Sequence, residues 1–154
     1  MTITPLEMES TSLTAAEPLD VVEVIETVIS SLEQDESAMV SHGDGGHLWK
    51  FNYGTVEVFV QLSGTQETDT LTVWSAVLSL PAKDEPALMR HLLEMNCGET
   101  LEASYGILDN GVVVLSSRTL EGITAAEISR VMTIVATIAD ENDGPLQEKF
   151  GATA

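Results

Sequence analysis

Residues 49–62 read WKFNYGTVEVFVQL, with apolar side chains at every second position on both sides of Gly54. Before the glycine, aromatic residues alternate with polar ones. After it, valine and leucine alternate with Glu57, Phe59 and Gln61. A two-residue period is typical of strands that bury one face. The segment therefore predicts two consecutive strands and places Phe59 on the face turned away from the core.

Three helices are predicted where apolar residues recur every three to four positions after a capping residue. The first follows Asp20, and the second follows Asp84 and stops near Gly98. The third opens on Thr124 and Glu127, which have the spacing of a capping box. These caps divide the chain into helical and extended blocks.

The other strands and the irregular segments follow from turn-forming residues. Residues 71–80 predict a third strand, which a proline ends. Residues 104–108 and 112–116 predict a hairpin across an Asp-Asn-Gly turn. Two segments are predicted to be irregular: residues 41–46 are a glycine-rich turn, and residues 142–145 interrupt the last helix before a short helix resumes.

The resulting element order is α-βββ-α-ββ-α. Because the strands come in hairpins rather than alternating singly with helices, the order predicts an α+β fold with an antiparallel five-stranded sheet packed with helices. Residues 1–17 are rich in Thr, Ser and Glu and predict a flexible leader. Residues 18–154 are expected to form a single domain.

The charge balance excludes some partners. Six Lys and Arg stand against 25 Asp and Glu, for a net charge of −19, so we expect no nucleic acid and no anionic membrane as partner. The acidity serves either solubility or the steering of a basic partner. A single cysteine and the absence of a basic leader or a long apolar run favour a cytoplasmic protein.

The sequence offers few candidates for chemistry. His91 and Cys97 are six residues apart on one predicted helix, which turns their side chains to opposite faces. His42, His47 and Asp44 surround a glycine-rich turn, which is a poor frame for a metal ion. We therefore expect no enzyme, no metal and no cofactor.

A cluster of acidic residues near the C-terminus is a second possible cation site. Asp140, Glu141 and Asp143 carry three carboxylates within four positions. Their spacing differs from that of a calcium-binding loop, which runs over about twelve residues with a central glycine. We expect at most weak cation binding here.

Apolar side chains on the outer sheet face are the candidate partner-binding site. In the third strand the bulkier set is predicted to face inward, which leaves Val73 and Val77 outward beside Phe59. The inward set consists of Trp74, Ala76, Leu78 and Leu80. A contiguous apolar strip on a surface marks a contact site. Phe59, Val73 and Val77 are therefore predicted to bind a second copy or a client, unless a helix covers this face too.

Several short motifs together resemble the YbjN-domain family. They are Trp49-Lys50-Phe51-Asn52-Tyr53-Gly54, Leu92-Leu93-Glu94-Met95-Asn96, Tyr105-Gly106-Ile107, Ala139-Asp140 and the stretch at 146–151. The resemblance covers about residues 19–151 in matching element order. It implies a bacterial protein with a fold similar to type III secretion chaperones, which are small, acidic, dimeric, non-catalytic proteins that bind extended client segments.

The favoured interpretation is a cytoplasmic, chaperone-like interaction module that forms a homodimer and binds an unidentified protein client, by apolar contact or by strand addition at a sheet edge. The alternative is a small-molecule sensor, with an apolar cavity lined by Trp49, Trp74 and Met132. The least favoured is an enzyme that uses Cys97 or the two histidines His42 and His47.

Overall fold

The computed structural model describes residues 19–43 and 45–152; the predicted leader lies outside them. Three helices and six strands are present among the described residues. In chain order they are α1 (Val21–Leu32), β1 (Met39–Gly43), β2 (Gly46–Tyr53), β3 (Val56–Leu62), β4 (Thr70–Ser79), α2 (Glu85–Gly98), β5 (Ser104–Leu108), β6 (Gly111–Thr119) and α3 (Ala125–Phe150). The fold is α+β, as predicted.

All six strands form one antiparallel sheet in the order β1-β2-β3-β4-β6-β5. Strands β1 to β4 form a meander. The chain then leaves the sheet through α2, returns as the outer strand β5, and turns back so that β6 pairs with β4. The sheet therefore has two edges, at β1 and at β5.

The prediction of five strands is wrong because the glycine-rich sequence at 41–46 predicts a turn where β1 ends. All five residues of β1 are exposed, and only Met39 and Val40 among them are large and apolar. A strand that buries neither face carries no two-residue apolar period. Backbone pairing to β2 defines it instead, with Met39 opposite Lys50 and Gly43 opposite Gly46.

The core lies between one face of the sheet and the helices. Alternate residues of β3 and β4 are buried there, and α3 contacts β4, β3 and β6. The predicted caps are confirmed: Asp20 and Asp84 accept backbone N–H bonds from the first turns of α1 and α2, and Thr124 and Glu127 form a reciprocal capping box. These caps fix where each helix starts over the sheet.

Helix α3 is not interrupted, which corrects the prediction for residues 142–145. It runs without a break from Ala125 to Phe150 with Pro145 inside it. An internal proline costs a helix about 3 kcal/mol. Beyond it, Leu146 and Phe150 are each only 3% exposed, and burying two such side chains contributes about 3–6 kcal/mol. Burial of the last turn therefore outweighs the cost of the proline.

The turn between β2 and β3 docks onto α3. Gly54 has a φ of 57°, in the left-handed region that glycine adopts readily. The next residue, Thr55, donates its backbone N–H to Asp140 Oδ1 at 2.9 Å, and its hydroxyl lies 2.9 Å from both carboxylate oxygens of Asp143. The turn thereby joins the sheet to the helix that covers it.

Candidate interaction face

The strand register brings apolar side chains together on the sheet face opposite the helices. We call this the open face, because its central residues are half-buried or exposed, apart from Val113; they include Lys50, Phe59, Gln61, Thr72, Trp74, Leu115 and Ser117. Residues directly opposite each other across neighbouring strands lie on the same face. One row crosses all six strands: Met39, Lys50, Phe59, Trp74, Leu115 and Ser104. We call it the cross-strand row.

Two aromatic residues form the centre of the cross-strand row. The rings of Phe59 and Trp74 stack with centroids 5.3 Å apart and an interplanar angle of 10°. Trp74 is in turn directly opposite Leu115, and Met39 at the end of the row is 57% exposed. The row is therefore a preformed apolar surface, since stacking holds its two largest side chains in place without a partner.

The only charged residue of the cross-strand row is paired within the sheet. Lys50 lies between Met39 and Phe59, and its Nζ is 3.3 Å from Glu57 Oε2. An exposed ion pair of this kind adds little stability. Its consequence is local: next to the apolar side chains the face presents a neutral pair rather than a free cation.

The predicted orientation of the third strand is wrong. Val73 and Val77 are 0% and 1% exposed and belong to the core. Trp74 and Ala76 face outward, so Trp74 rather than Val73 accompanies Phe59. Leu78, after the register shift, is 5% exposed and lies in the core, as predicted. Both faces of β4 carry apolar residues, and the register shifts between Ala76 and Leu78. The size of a side chain therefore does not indicate which face of this strand is buried. Phe59 lies on the open face as predicted; its role in binding stays a prediction.

The candidates for nucleophilic chemistry are placed separately. Cys97 is exposed near the end of α2. His91, on the same helix, is half-buried, with its ring centroid 6.0 Å from that of Phe150. The histidine is thus part of the contact between α2 and the end of α3.

The two histidines of the first hairpin face each other across β1 and β2. His42 is directly opposite His47, with ring centroids 4.7 Å apart in an edge-to-face arrangement, and His47 stacks on Trp49 at 5.3 Å. Their predicted companion, Asp44, lies outside the described residues. Within residues 19–43 and 45–152 no group of three or more His, Cys, Asp or Glu side chains has a metal-binding arrangement.

The C-terminal acidic cluster is used inside the fold. Asp140 and Asp143 both bind Thr55 of the β2–β3 turn, and Asp143 is only 8% exposed. Glu141, between them in sequence, is exposed. Two of the three carboxylates that suggested weak cation binding therefore accept hydrogen bonds from the β2–β3 turn.

The residues proposed to line a sensor cavity are also separated. Trp49 and Met132 are 2% and 0% exposed in the core. Trp74 lies on the opposite side of the sheet, on the open face. No cavity between sheet and helices is therefore shared by these three residues.

The β5 edge of the sheet is partly closed by a side chain. In an antiparallel pair every second residue turns its backbone N–H and C=O away from the neighbouring strand. At Tyr105 both groups are taken by Asn96 of α2: the Tyr105 N–H donates to Asn96 Oδ1 at 2.7 Å, and Asn96 Nδ2 donates to the Tyr105 carbonyl at 3.3 Å. The carboxamide occupies the position that another strand would take.

Because the phenol of Tyr105 is buried, we expect the domain to lose stability at alkaline pH. Burial, with the Glu99 carboxylate nearby, raises the pKa of Tyr105 to about 12, against about 10 in the unfolded chain. The fold thus favours the neutral phenol, and this contribution is fully present below about pH 10 and lost as pH rises towards about 12. In urea unfolding from pH 8 to 11.5 we expect Tyr105→Phe to lose less stability than wild type; parallel curves would refute this assignment.

An antiparallel sheet covered by helices on one face, with an apolar row on the other, defines a small α+β domain. No helix among the described residues is both long and apolar enough to cross a membrane. A family model described as "Putative bacterial sensory transduction regulator" matches residues 22–148. The chain belongs to this family, YbjN, as the sequence motifs indicated. No curated protein matches the chain.

Proposed function

We propose that this chain is a non-enzymatic protein-interaction module of bacterial regulation, which binds a client protein through the cross-strand row. The observation that carries the proposal is the row itself, in which Phe59, Trp74 and Leu115 form a continuous apolar surface and Met39 follows beyond Lys50. Apolar side chains grouped in this way mark contact sites, whereas scattered ones do not. The family description, a regulator, supports the same class of role.

The chemistry of the open face favours a protein over a small ligand as its target. The cross-strand row runs across six paired strands, and aromatic residues, such as the tryptophan at its centre, are among those that contribute most at protein interfaces. Small molecules bind instead in concave sites that enclose most of their surface. The role we propose resembles that of type III secretion chaperones, in the cytoplasm.

We further propose that the chain acts as a homodimer. Large apolar side chains are exposed on the α2–β5 side of the sheet: Leu93 and Leu101 are each 69% exposed and Ile107 is 59% exposed. A second copy would cover these residues and leave the centre of the cross-strand row available to a client. Sedimentation equilibrium over a concentration series measures the association directly.

The test of the client site is capture from bacterial lysate with matched variants. Phe59→Asp and Trp74→Asp each place a carboxylate in the middle of the row. Losing an aromatic anchor at an interface costs about 2 kcal/mol or more, so we expect recovery of the client to fall at least about tenfold at limiting bait. A photocrosslinking residue in place of Trp74 should link covalently to the same client.

The control carries the same charge change on another surface. Thr133 is exposed on α3, so Thr133→Asp should recover the client as wild type does. Circular dichroism first establishes that all three variants are folded. If Phe59→Asp and Trp74→Asp capture the same proteins in the same amounts as Thr133→Asp, the open face is not the client site.

A further inference from the structure

Strand β1 forms an edge of the sheet whose backbone is open, unlike that of β5. Within residues 19–43 and 45–152 it pairs only with β2. The pair Tyr53–Val56 closes the β2–β3 hairpin, so alternate residues of β2, including Trp49 and His47, bond to β3. Their partners in β1, Val40 and His42, therefore turn their N–H and C=O outward. No other described residue bonds to these backbone groups. The edge therefore offers two consecutive outward positions, whereas Asn96 occupies one of the two at β5.

A groove runs beside this edge on the helix side. It has a volume of about 180 Å³ and lies between α1 and β1, with Glu26, Ile29 and Glu33 on one wall and Val40 and Trp49 on the other. Val40 is 47% exposed. Glu26 accepts a hydrogen bond from Trp49 Nε1 at 3.2 Å, which places its carboxylate at the rim. The groove thus combines an apolar floor with carboxylates.

The residues that line the groove include two carboxylates, Glu26 and Glu33, and no Lys or Arg. No Lys or Arg occurs before Lys50 in the sequence. The described residues from 19 to 43 carry six carboxylates: Asp20, Glu23, Glu26, Glu33, Asp35 and Glu36. A strand added to β1 would place alternate side chains beside these acids and the others beside Met39 on the open face. The charge complement of this edge is a cationic segment.

We propose that the β1 edge binds an extended, cationic segment of another protein as a seventh strand, with Lys or Arg side chains towards Glu26 and Glu33 and apolar ones beside Met39. This deepens the proposed function and rests on it, because the added strand would extend the cross-strand row past Met39. Backbone hydrogen bonds supply affinity that is independent of sequence, and the carboxylates select for charge.

A second copy of this chain fits the edge less well. Pairing two β1 edges would bring together two copies of a segment, residues 19–43, that carries six carboxylates and no Lys or Arg. Like charges placed opposite each other at an interface oppose binding. A basic partner converts the same field into attraction.

The test uses a synthetic peptide of alternating lysine and valine with blocked ends, and the same peptide with glutamate in place of lysine. We expect the lysine peptide to bind, with amide NMR shifts confined to β1, α1 and their neighbours in β2, and to bind more weakly as salt is raised. Binding should not be measurable for the glutamate peptide.

Matched variants separate the backbone from the charges. Val40→Pro removes an outward N–H without breaking a bond to β2, and should weaken binding at least about tenfold; Ile107→Pro, at the matching position of β5, should leave it unchanged. Glu26→Gln with Glu33→Gln should weaken binding about fivefold, and Glu94→Gln with Glu99→Gln should not. The glutamine pair keeps the backbone intact should Val40→Pro fail to fold.

The outcomes are distinct. Loss of binding in Val40→Pro and in the glutamine pair, with both controls unaffected, establishes the edge as the site. Equal binding by Val40→Pro and wild type, or no binding of the lysine peptide, overturns the inference. Loss of self-association in Val40→Pro also overturns it and assigns the edge to a second copy. Client capture that still depends on Phe59 and Trp74 would leave the proposed function standing in each case.

Discussion

Val73→Asp is expected to unfold the domain. Val73 is 0% exposed between the sheet and the helices, and the buried residues in the described part of the chain include no Lys or Arg. An unpaired carboxylate in such a site costs several kcal/mol, and the lost burial of the valine adds to this, for a total on the order of 5 kcal/mol. Total stabilities of domains are about 5–15 kcal/mol. Urea unfolding followed by circular dichroism measures the loss.

The same substitution at Phe59 is the matched control. Phe59 is half-buried on the open face, where a carboxylate stays hydrated, so Phe59→Asp should remain folded and lose only the contact with Trp74, about 1 kcal/mol. The pair of variants tests the strand orientation directly. A folded Val73→Asp together with an unfolded Phe59→Asp would show that β4 and β3 face the other way.

Gly54→Ala is expected to lower the free energy of unfolding by about 2–4 kcal/mol. Two costs contribute. The left-handed φ of residue 54 costs an L-residue about 1 kcal/mol or more, and a Cβ at this position would overlap the carboxylate of Asp140. Relieving such an overlap costs about 1–3 kcal/mol, since Asp140 is held by its bond to Thr55. Thermal unfolding measures the combined effect.

Gly122 separates these two costs. Its φ is 71°, also left-handed, but a Cβ there would meet no atom within 4 Å. Gly122→Ala should therefore show the backbone cost alone, about 1 kcal/mol. A further test combines Gly54→Ala with Asp140→Ala, which removes the overlapping carboxylate. Equal losses in Gly54→Ala and Gly122→Ala would mean that the docking of the turn on α3 does not restrict residue 54.

The sequence predicts best where one physical signal acts alone. Strands β2 and β3 bury one face each, so a strict two-residue period locates them and orients Phe59 correctly. The β5–β6 hairpin is also predicted from its turn residues. Its two-residue loop is Asp109-Asn110, and both residues have positive φ, as a type I′ turn requires. The helix caps are also predicted correctly, because Asp or Thr directly before a helical apolar pattern is typical of an N-cap.

The sequence fails where two signals compete or where neither is present. Strand β4 is apolar on both faces, and bulk favoured Trp74 as a core residue, although the smaller Val73 fits beneath α3. Strand β1 is exposed on both sides, so only its pairing identifies it. Helix α3 continues across Pro145 because Leu146 and Phe150 are buried in the core. Each failure involves a tertiary contact that local sequence does not encode.

The cross-strand row depends on these same features. Phe59 was found from its own strand, but Trp74, Leu115 and Met39 join it only through register, across strands that are distant in the chain. Leu115 sits in a run of apolar residues, Val112 to Leu115, that hides its orientation. The role of Asn96 could not be predicted from the sequence either. An asparagine near the end of a helix has the same local sequence whether or not it binds the backbone of Tyr105.

Because β4 pairs with β6, one edge of β4 stays unpaired for part of the time in which the chain is synthesised. Strands β1 to β4 are complete once Ser79 has left the ribosome. Strand β6, which pairs with the free edge of β4, ends at Thr119, roughly 40 residues later. At typical elongation rates the interval is about 2–8 seconds. During it, β4 presents an unpaired edge and an uncovered apolar face, the features that invite aggregation. Nascent chains paused between these two points should be the ones that most need protection by a ribosome-bound chaperone.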